Sequence, residues 1–164
     1  MAPLMVLVVV SVVLRVAGAR GLISVPTWGH ALRGGLAAMF LMTGTAHFVG
    51  MREQMIAMVP PSLPEPGVLV TVTGVLEILG AIGLLVRRTT RVAAIALALM
   101  LIGMFPANVY AATHGLGTEW LDNLVPRTVL QIVFLAATVI VARRFSTRED
   151  RAETPLSRVE EKRG

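Results

Sequence analysis

The residues most able to do chemistry in this sequence are polar side chains that interrupt long apolar runs. Glu77 is the clearest, because it is the single charged residue among the twenty-one that separate Glu65 from Arg87. A carboxyl group is costly to place in lipid, so we expect it to be neutral or paired and to face the protein interior. It then either contacts a ligand or carries a proton, or else it fastens two helices together by a hydrogen bond. Both roles stay open at this stage.

Two pairs of polar residues have helical spacing. Thr43 and His47 are four residues apart, as are Thr73 and Glu77, so each pair lies on one face of a helix. A histidine at the end of an apolar run is more simply a polar anchor at the membrane surface than a ligand-binding group. Both interpretations of His47 are kept.

Pro106 interrupts a third apolar run and is followed closely by Asn108 and Tyr110. Proline lacks an amide donor, which frees the carbonyl of Ile102, and a kink there opens space inside a bundle. Gln131 comes early in the last apolar run, at a similar depth. Asn108 by itself is explained more simply by a hydrogen bond to a neighbouring helix.

These residues form one set of candidate ligand-binding positions, with no catalytic residue and no metal ligand assigned. The sequence has no cysteine, which excludes thiol redox chemistry and cysteine-bound iron–sulfur clusters. The three histidines lack the spacing of a metal site, although His47 and His114 would lie at similar depth. The candidate set is Thr43, His47, Thr73, Glu77, Asn108, Tyr110 and Gln131.

The elements that must position this set are membrane helices. Hydrophobic residues make up 55% of the 164, and the mean hydropathy is +0.74. Residues 34–51 and 92–118 contain no Asp, Glu, Lys or Arg, and about twenty residues of helix cross the hydrocarbon of a bilayer. The net charge of +5 does not indicate nucleic-acid binding, because the basic residues flank the apolar runs or lie in the tail.

We therefore predict an all-α integral membrane protein, an antiparallel four-helix transmembrane bundle with an additional N-terminal transmembrane helix. The connection at 87–91 is short enough to make its two flanking helices antiparallel neighbours. The first helix contains Arg15, and the small residues at 17–19 also fit a signal-peptide cleavage site, so its retention stays open. The predicted spans are helix A near 3–23, B near 30–50, C near 67–87, D near 90–113 and E near 124–144.

The predicted domain organisation has three parts. Residues 1–28 form the N-terminal transmembrane helix and a linker, and residues 29–145 form the four-helix membrane domain. Residues 146–164 alternate basic and acidic side chains with little apolar content. Such a segment cannot bury enough surface to offset the entropy of ordering it, so we predict a disordered tail.

The basic residues also predict the orientation. Arginines gather in the A–B and C–D connections and in the tail, without acidic partners in the two connections, whereas the B–C and D–E loops carry mixed charge. Lys and Arg accumulate on the cytoplasmic side, which places the N-terminus outside and the C-terminus in the cytoplasm. The stretch 55–59 before Pro60 and Pro61 predicts a short amphipathic helix at an outward-facing pocket mouth, with Glu77 at the pocket floor.

Several short motifs within residues 30–144 resemble the DoxX family of small bacterial membrane proteins. Each motif alone is weak, and the set together is fairly specific. The motifs are Ala31-Leu32-Arg33-Gly34-Gly35-Leu36, Thr43-Gly44-Thr45-Ala46-His47-Phe48, Met58-Val59-Pro60-Pro61, Thr73-Gly74-Val75-Leu76-Glu77-Ile78-Leu79-Gly80-Ala81 and Met104-Phe105-Pro106-Ala107-Asn108.

The resemblance implies a four-helix bundle in the bacterial inner membrane, to which helix A would be an addition. The family takes its name from a subunit of a thiosulfate:quinone oxidoreductase, and some members belong to membrane redox complexes. Glu77 and Asn108 fall on polar positions of the family. We accordingly expect a quinone as cofactor. The expected partners are the lipid bilayer and either a membrane redox complex or a second copy of the chain.

Three functions are compatible with these observations. The first is a redox-associated accessory subunit, without catalytic activity of its own, that binds a quinone or another apolar small molecule in the outer-half pocket. The second is a non-enzymatic subunit that scaffolds or stabilises a membrane complex, with Glu77 as a clamp. The third, a small transporter or proton path, is disfavoured by a single intramembrane acid and few helices.

Overall fold

The computed structural model of this chain describes residues 2–25, 27–116 and 123–161, with side chains described as far as Phe145. All regular secondary structure in these residues is helical. The helices are α1 (Ala2–Ala19), α2 (Trp28–Ala46), α3 (Arg52–Met58), α4 (Pro66–Leu85), α5 (Thr90–Thr113) and α6 (Leu124–Glu161). The prediction of an all-helical protein is confirmed.

Four of these helices are long and apolar enough to cross a membrane. They are α1, α4, α5 and the first part of α6, Leu124–Phe145. Among the described helices, α2 is also long, but it is less apolar than these four, although the sequence predicts a membrane span there. The physical reason is its position, since α2 packs against α1, α4 and α6 and is buried at intervals from Gly29 to Gly44. A helix enclosed by other helices needs less apolar surface than one that faces lipid.

The core lies where α2, α4, α5 and α6 meet. Its largest fully buried side chains include Leu36 and Phe40 of α2, Leu84 of α4, Leu97 of α5 and Val141 of α6. Small residues on α4 let the neighbouring helices come close, because a Cβ on Gly83 would lie 2.9 Å from the Cβ of Ala93.

Threonine hydroxyls close the tight turn between α4 and α5. Thr89 donates to the carbonyl of Gly83 at 2.8 Å, and Thr90 lies 3.1 Å from the carbonyl of Leu84 and 2.9 Å from that of Val86. The last carbonyls of α4 have no partner within the helix, so these side chains satisfy them. The helix is thereby able to end just before the basic residues of the turn.

The helix ends differ from the predicted ones at three places. The first helix ends at Ala19 rather than near residue 23, with Gly21 at φ +71°, which glycine adopts without strain. The second ends at Ala46 rather than near residue 50, and His47 follows it as the C-cap. The last helix continues to Glu161, where the sequence predicts a disordered tail, and residues 162–164 lie outside the described residues. Arg and Glu, frequent in that stretch, both favour helix.

The predicted short helix before the paired prolines is confirmed as α3. It ends at Met58, and Val59 adopts the extended conformation that a following proline favours. The Arg52 side chain fixes α3 to its neighbours by donating to the carbonyl of Gly67 at 3.2 Å and to the Thr71 hydroxyl at 3.0 Å. The α3 helix therefore lies at one end of the bundle, which we call the α3 end.

Candidate functional site

A cavity of about 430 Å³ opens among the helices at the α3 end. Its walls come from the C-terminal part of α2 with the adjoining His47, and from α4 between Leu69 and Glu77. The C-terminal half of α5 and the N-terminal part of α6 complete them, and α3 contributes the methionines Met55 and Met58. The lining is largely apolar, with a few polar side chains among it. This combination is typical of a small-molecule binding site.

Glu77 lies in the wall of this cavity and is only 4% exposed. Its Oε2 atom is buried and has no hydrogen-bond partner among the described residues. A buried carboxyl oxygen without a partner carries the full cost of its desolvation. A ligand that supplies a hydrogen bond at this point would remove that cost.

His47 is the nearest titratable neighbour of Glu77 and is 3% exposed. Its Nδ1 atom lies 4.0 Å from Glu77 Oε2, which is too long for a hydrogen bond, and 2.9 Å from the backbone carbonyl of Thr43. A carbonyl only accepts, so Nδ1 carries the proton of that bond. In the neutral imidazole Nε2 is then an acceptor, and a ligand can donate to it.

Two glycines make the approach of His47 and Glu77 possible. Gly44 of α2 and Gly74 of α4 face each other where the two helices cross. A Cβ on Gly74 would lie 2.5 Å from the Cβ of His47, and one on Gly44 would lie 3.0 Å from the Cβ of Glu77. Larger residues would force the helices apart, so the crossing sets the spacing of the two polar side chains.

A second polar group in the cavity is supplied by α5 and α6. The Asn108 amide donates to Gln131 Oε1 at 3.3 Å, and Arg127 donates to Asn108 Oδ1 at 3.4 Å. The Gln131 amide donates to the backbone carbonyl of Leu101, one residue before the carbonyl that Pro106 is expected to free. The helix continues through the proline, and a side chain from the adjacent helix bonds the turn that precedes it.

The two candidate threonines also line the cavity, with their hydroxyl groups turned to their own helices. Thr73 lies 2.9 Å from the carbonyl of Leu69, and Thr43 lies 3.2 Å from that of Met39. Donation to a carbonyl uses the hydroxyl proton and leaves oxygen lone pairs that can still accept from a ligand.

The structure thus brings six of the seven candidate residues into one cavity and leaves Tyr110 outside it. The Tyr110 ring stacks on His114 with ring centroids 4.0 Å apart, and His114 hydrogen-bonds the Tyr110 carbonyl and the Thr113 hydroxyl. His114 therefore contacts its own helix rather than the cavity that holds His47. Within the described ranges, no three His, Cys, Asp or Glu side chains are grouped as metal ligands.

Several lining residues are missing from the sequence-based set. Met39 and Phe40 of α2, Met104 of α5 and Phe134 of α6 all face the cavity. Nothing in the sequence marks them, since they are apolar residues in apolar helices. Arg127 was detectable, because it precedes Gln131 by four residues and so shares its helix face.

One comparison with known proteins finds a match for this chain. A family described as a domain of unknown function, DUF8561, matches residues 36–143. The chain belongs to this family. The DUF8561 region contains every lining residue of the cavity except Pro3. No curated protein and no solved structure matches the chain.

Proposed function

We propose that this protein crosses the bacterial inner membrane five times, with the α3 end outside and the C-terminus in the cytoplasm. The described arginines support this arrangement, because most of them gather at the end opposite α3. They are Arg15, Arg20, Arg33, Arg87, Arg88, Arg91, Arg143 and Arg144, against Arg52 and Arg127 at the α3 end. The enclosed α2 is the fifth crossing.

The proposed orientation predicts opposite labelling at two exposed serines. The chain has no cysteine, so single substitutions report on their own positions. Ser62→Cys, between α3 and α4, is expected to react with a membrane-impermeant maleimide on intact spheroplasts. Ser24→Cys, between α1 and α2, is expected to react only after permeabilisation. The reverse pattern would contradict the orientation.

We further propose that the cavity at the α3 end binds a quinone or a similar apolar molecule with two polar ends. The single observation that carries this proposal is the unpartnered Glu77 oxygen in a largely apolar cavity. A volume of about 430 Å³ lies within the range of small-molecule sites. Flexible methionines, which suit ligands of irregular shape, supply part of the lining.

The cavity has two polar groups, and a quinone has two polar ends. Glu77 and His47 come from α4 and the end of α2, and Asn108 and Gln131 come from α5 and α6. A quinone carbonyl accepts a hydrogen bond, for which the protonated carboxyl group of Glu77 is a suitable donor. The quinol hydroxyl donates in turn, and the carboxylate or His47 Nε2 is a suitable acceptor.

In this proposal the protein is an accessory subunit that holds the quinone beside a redox partner or a second copy. The lack of cysteine favours an accessory role over that of an iron–sulfur electron carrier. The resemblance to DoxX proteins points in the same direction and stays a prediction.

Titration of a short-chain quinone into the purified protein in detergent micelles tests the site. We expect Glu77→Leu and His47→Ala each to weaken binding roughly tenfold, the usual size for a lost hydrogen bond to a buried polar group. Glu53→Leu is the matched control, because Glu53 is exposed on α3 and does not line the cavity. The affinity of the control variant should equal that of the unmodified protein.

Unchanged affinity in both cavity variants would contradict the proposed site. The scaffold function would then gain support if Glu77→Ala lowers the stability or the abundance of the protein without any effect on ligand binding. Purification in mild detergent would identify the complex that such a subunit stabilises.

A further inference from the structure

The cavity at the α3 end reaches the surface of the protein in two places. Among the lining residues that the structure describes, the exposed ones mark these places. Met51, Gln54 and Leu63 precede α4 and mark an opening at the α3 end itself. Gly103, the other exposed lining residue, lies near the middle of α5. The cavity therefore has a second opening on the side of the bundle, at Gly103, which we call the side opening.

The side opening is bordered by α4 and α5. Near their connection these antiparallel helices pack closely, because a Cβ on Gly80 would lie 2.6 Å from the Cδ2 atom of Leu97. Seven residues farther from the connection on each helix, this register places Thr73 opposite Met104. Both of these residues line the cavity, and Gly103 adjoins Met104. The two helices thus touch near their connection, and the cavity lies between them toward the α3 end.

The side opening lies at a depth that is surrounded by hydrocarbon when α5 spans a bilayer. Gly103 comes thirteen residues after the first residue of α5 and ten residues before the last, which is about 20 Å and 15 Å of helix. The hydrocarbon core is about 30 Å thick. Leu99, one turn before Gly103, is 63% exposed, and Leu76 of α4 is 49% exposed. The border of the side opening therefore presents apolar side chains to the lipid.

We propose that the ligand of the cavity carries a long hydrocarbon tail, which passes through the side opening into the lipid. This inference rests on the proposed binding of a quinone and adds the tail and the route of entry. A volume of about 430 Å³ suits a molecule of drug size, so a polar ring fills it and a long tail must continue outside. No neighbouring atom lies within 4 Å of the place that a Cβ on Gly103 would take, which leaves room for the tail.

Two quinones with the same ring, one with a single isoprene unit and one with a long isoprenoid tail, test the proposal. Each is titrated into the full chain in lipid nanodiscs, with its concentration counted per lipid. We expect Gly103→Trp to weaken binding of the long-tailed quinone roughly tenfold and that of the short-tailed one less than about twofold, since the indole obstructs the tail alone. Ala96→Trp is the matched control and should change neither affinity. Ala96 is exposed two turns earlier on the same face of α5 and does not line the cavity.

Photocrosslinking provides a second measurement that needs no variant. A long-tailed quinone with a diazirine on the tail, close to the ring, is expected to label α4 and α5 near Leu76 and Leu99. Labelling of residues 60–64 instead would show that the tail leaves at the α3 end and would overturn the proposal. It would also be overturned if Gly103→Trp caused no selective loss of the long-tailed quinone, or if Ala96→Trp caused the same loss.

Failure of the proposed function gives a different result. The short-tailed quinone would then not bind the unmodified protein, and the inference about the tail would fall with the function. Binding of the short-tailed quinone without any of the expected effects at Gly103 would leave the proposed function standing and refute the side opening as the path of the tail.

Discussion

Leu84→Ala is expected to lower the free energy of unfolding by about 2–5 kcal/mol, the range for truncation of a buried leucine. Leu84 is fully buried in the core between α4 and its neighbours, and removal of its isobutyl group leaves a void that packed helices close only in part. Thermal unfolding in detergent micelles, followed by the helical circular dichroism signal, measures the change.

The adjacent residue is the control for that experiment. Leu85 is 58% exposed and faces away from the bundle. In micelles or lipid its side chain is surrounded by hydrocarbon before and after unfolding, so Leu85→Ala should change stability by less than about 0.5 kcal/mol. Equal losses in the two variants would show that α4 is rotated differently from the structure described above.

Gly74→Ala is expected to destabilise the protein by about 1–3 kcal/mol, the usual cost of an overpacked contact. The new methyl group would lie 2.5 Å from the Cβ of His47, and a Cβ atom cannot move away unless its helix moves. The shift would also separate His47 from Glu77, so the proposed binding of a quinone should weaken together with stability.

The same substitution at Gly103 is expected to have the opposite sign. Gly103 lies in α5, and no neighbouring atom comes within 4 Å of the position that an alanine methyl group would take, so alanine adds no clash there. Replacement of a helical glycine by alanine usually stabilises by about 0.5–1 kcal/mol. Unfolding measurements on both variants give the two changes in stability. A Gly74→Ala protein as stable as Gly103→Ala would refute the close helix crossing.

A change in helix packing at Gly74 also affects the cavity, because it moves polar side chains that line it. Glu77 Oε2 has no hydrogen-bond partner among the described residues, and a 4.0 Å separation keeps it from bonding His47 directly. The proposed ligand-binding role of Glu77 rests on this unpartnered oxygen, and the binding titration distinguishes that role from a clamp.

Most helix positions follow from the sequence because the apolar runs are bounded by strong local signals. Helix D is predicted at its observed bounds, and Pro60 ends α3 where a proline must. The last helix is the exception. Low apolar content predicts a disordered tail from residue 146, whereas α6 continues to Glu161. Helix propensity and continuity with the preceding span favour this extension.

The grouping of the candidate residues is only partly accessible from sequence. Depth along each helix places Tyr110 with the others, but depth does not specify rotation about the helix axis. Tyr110 is two residues beyond Asn108, which turns it by about 200° on the helix, and it stacks on His114 outside the cavity.

The sequence by itself determined the apolar helices that suit a membrane, the order of the helices and the isolation of one acidic side chain within an apolar run, because each depends on local composition and on the cost of charge in lipid. Only the tertiary structure decided which faces meet. The crossing of α2 and α4 at Gly44 and Gly74, the hydrogen bond from Asn108 to Gln131 and the enclosure of α2 all depend on contacts between residues far apart in the chain. Packing of side chains in three dimensions sets these contacts, and helical periodicity alone does not.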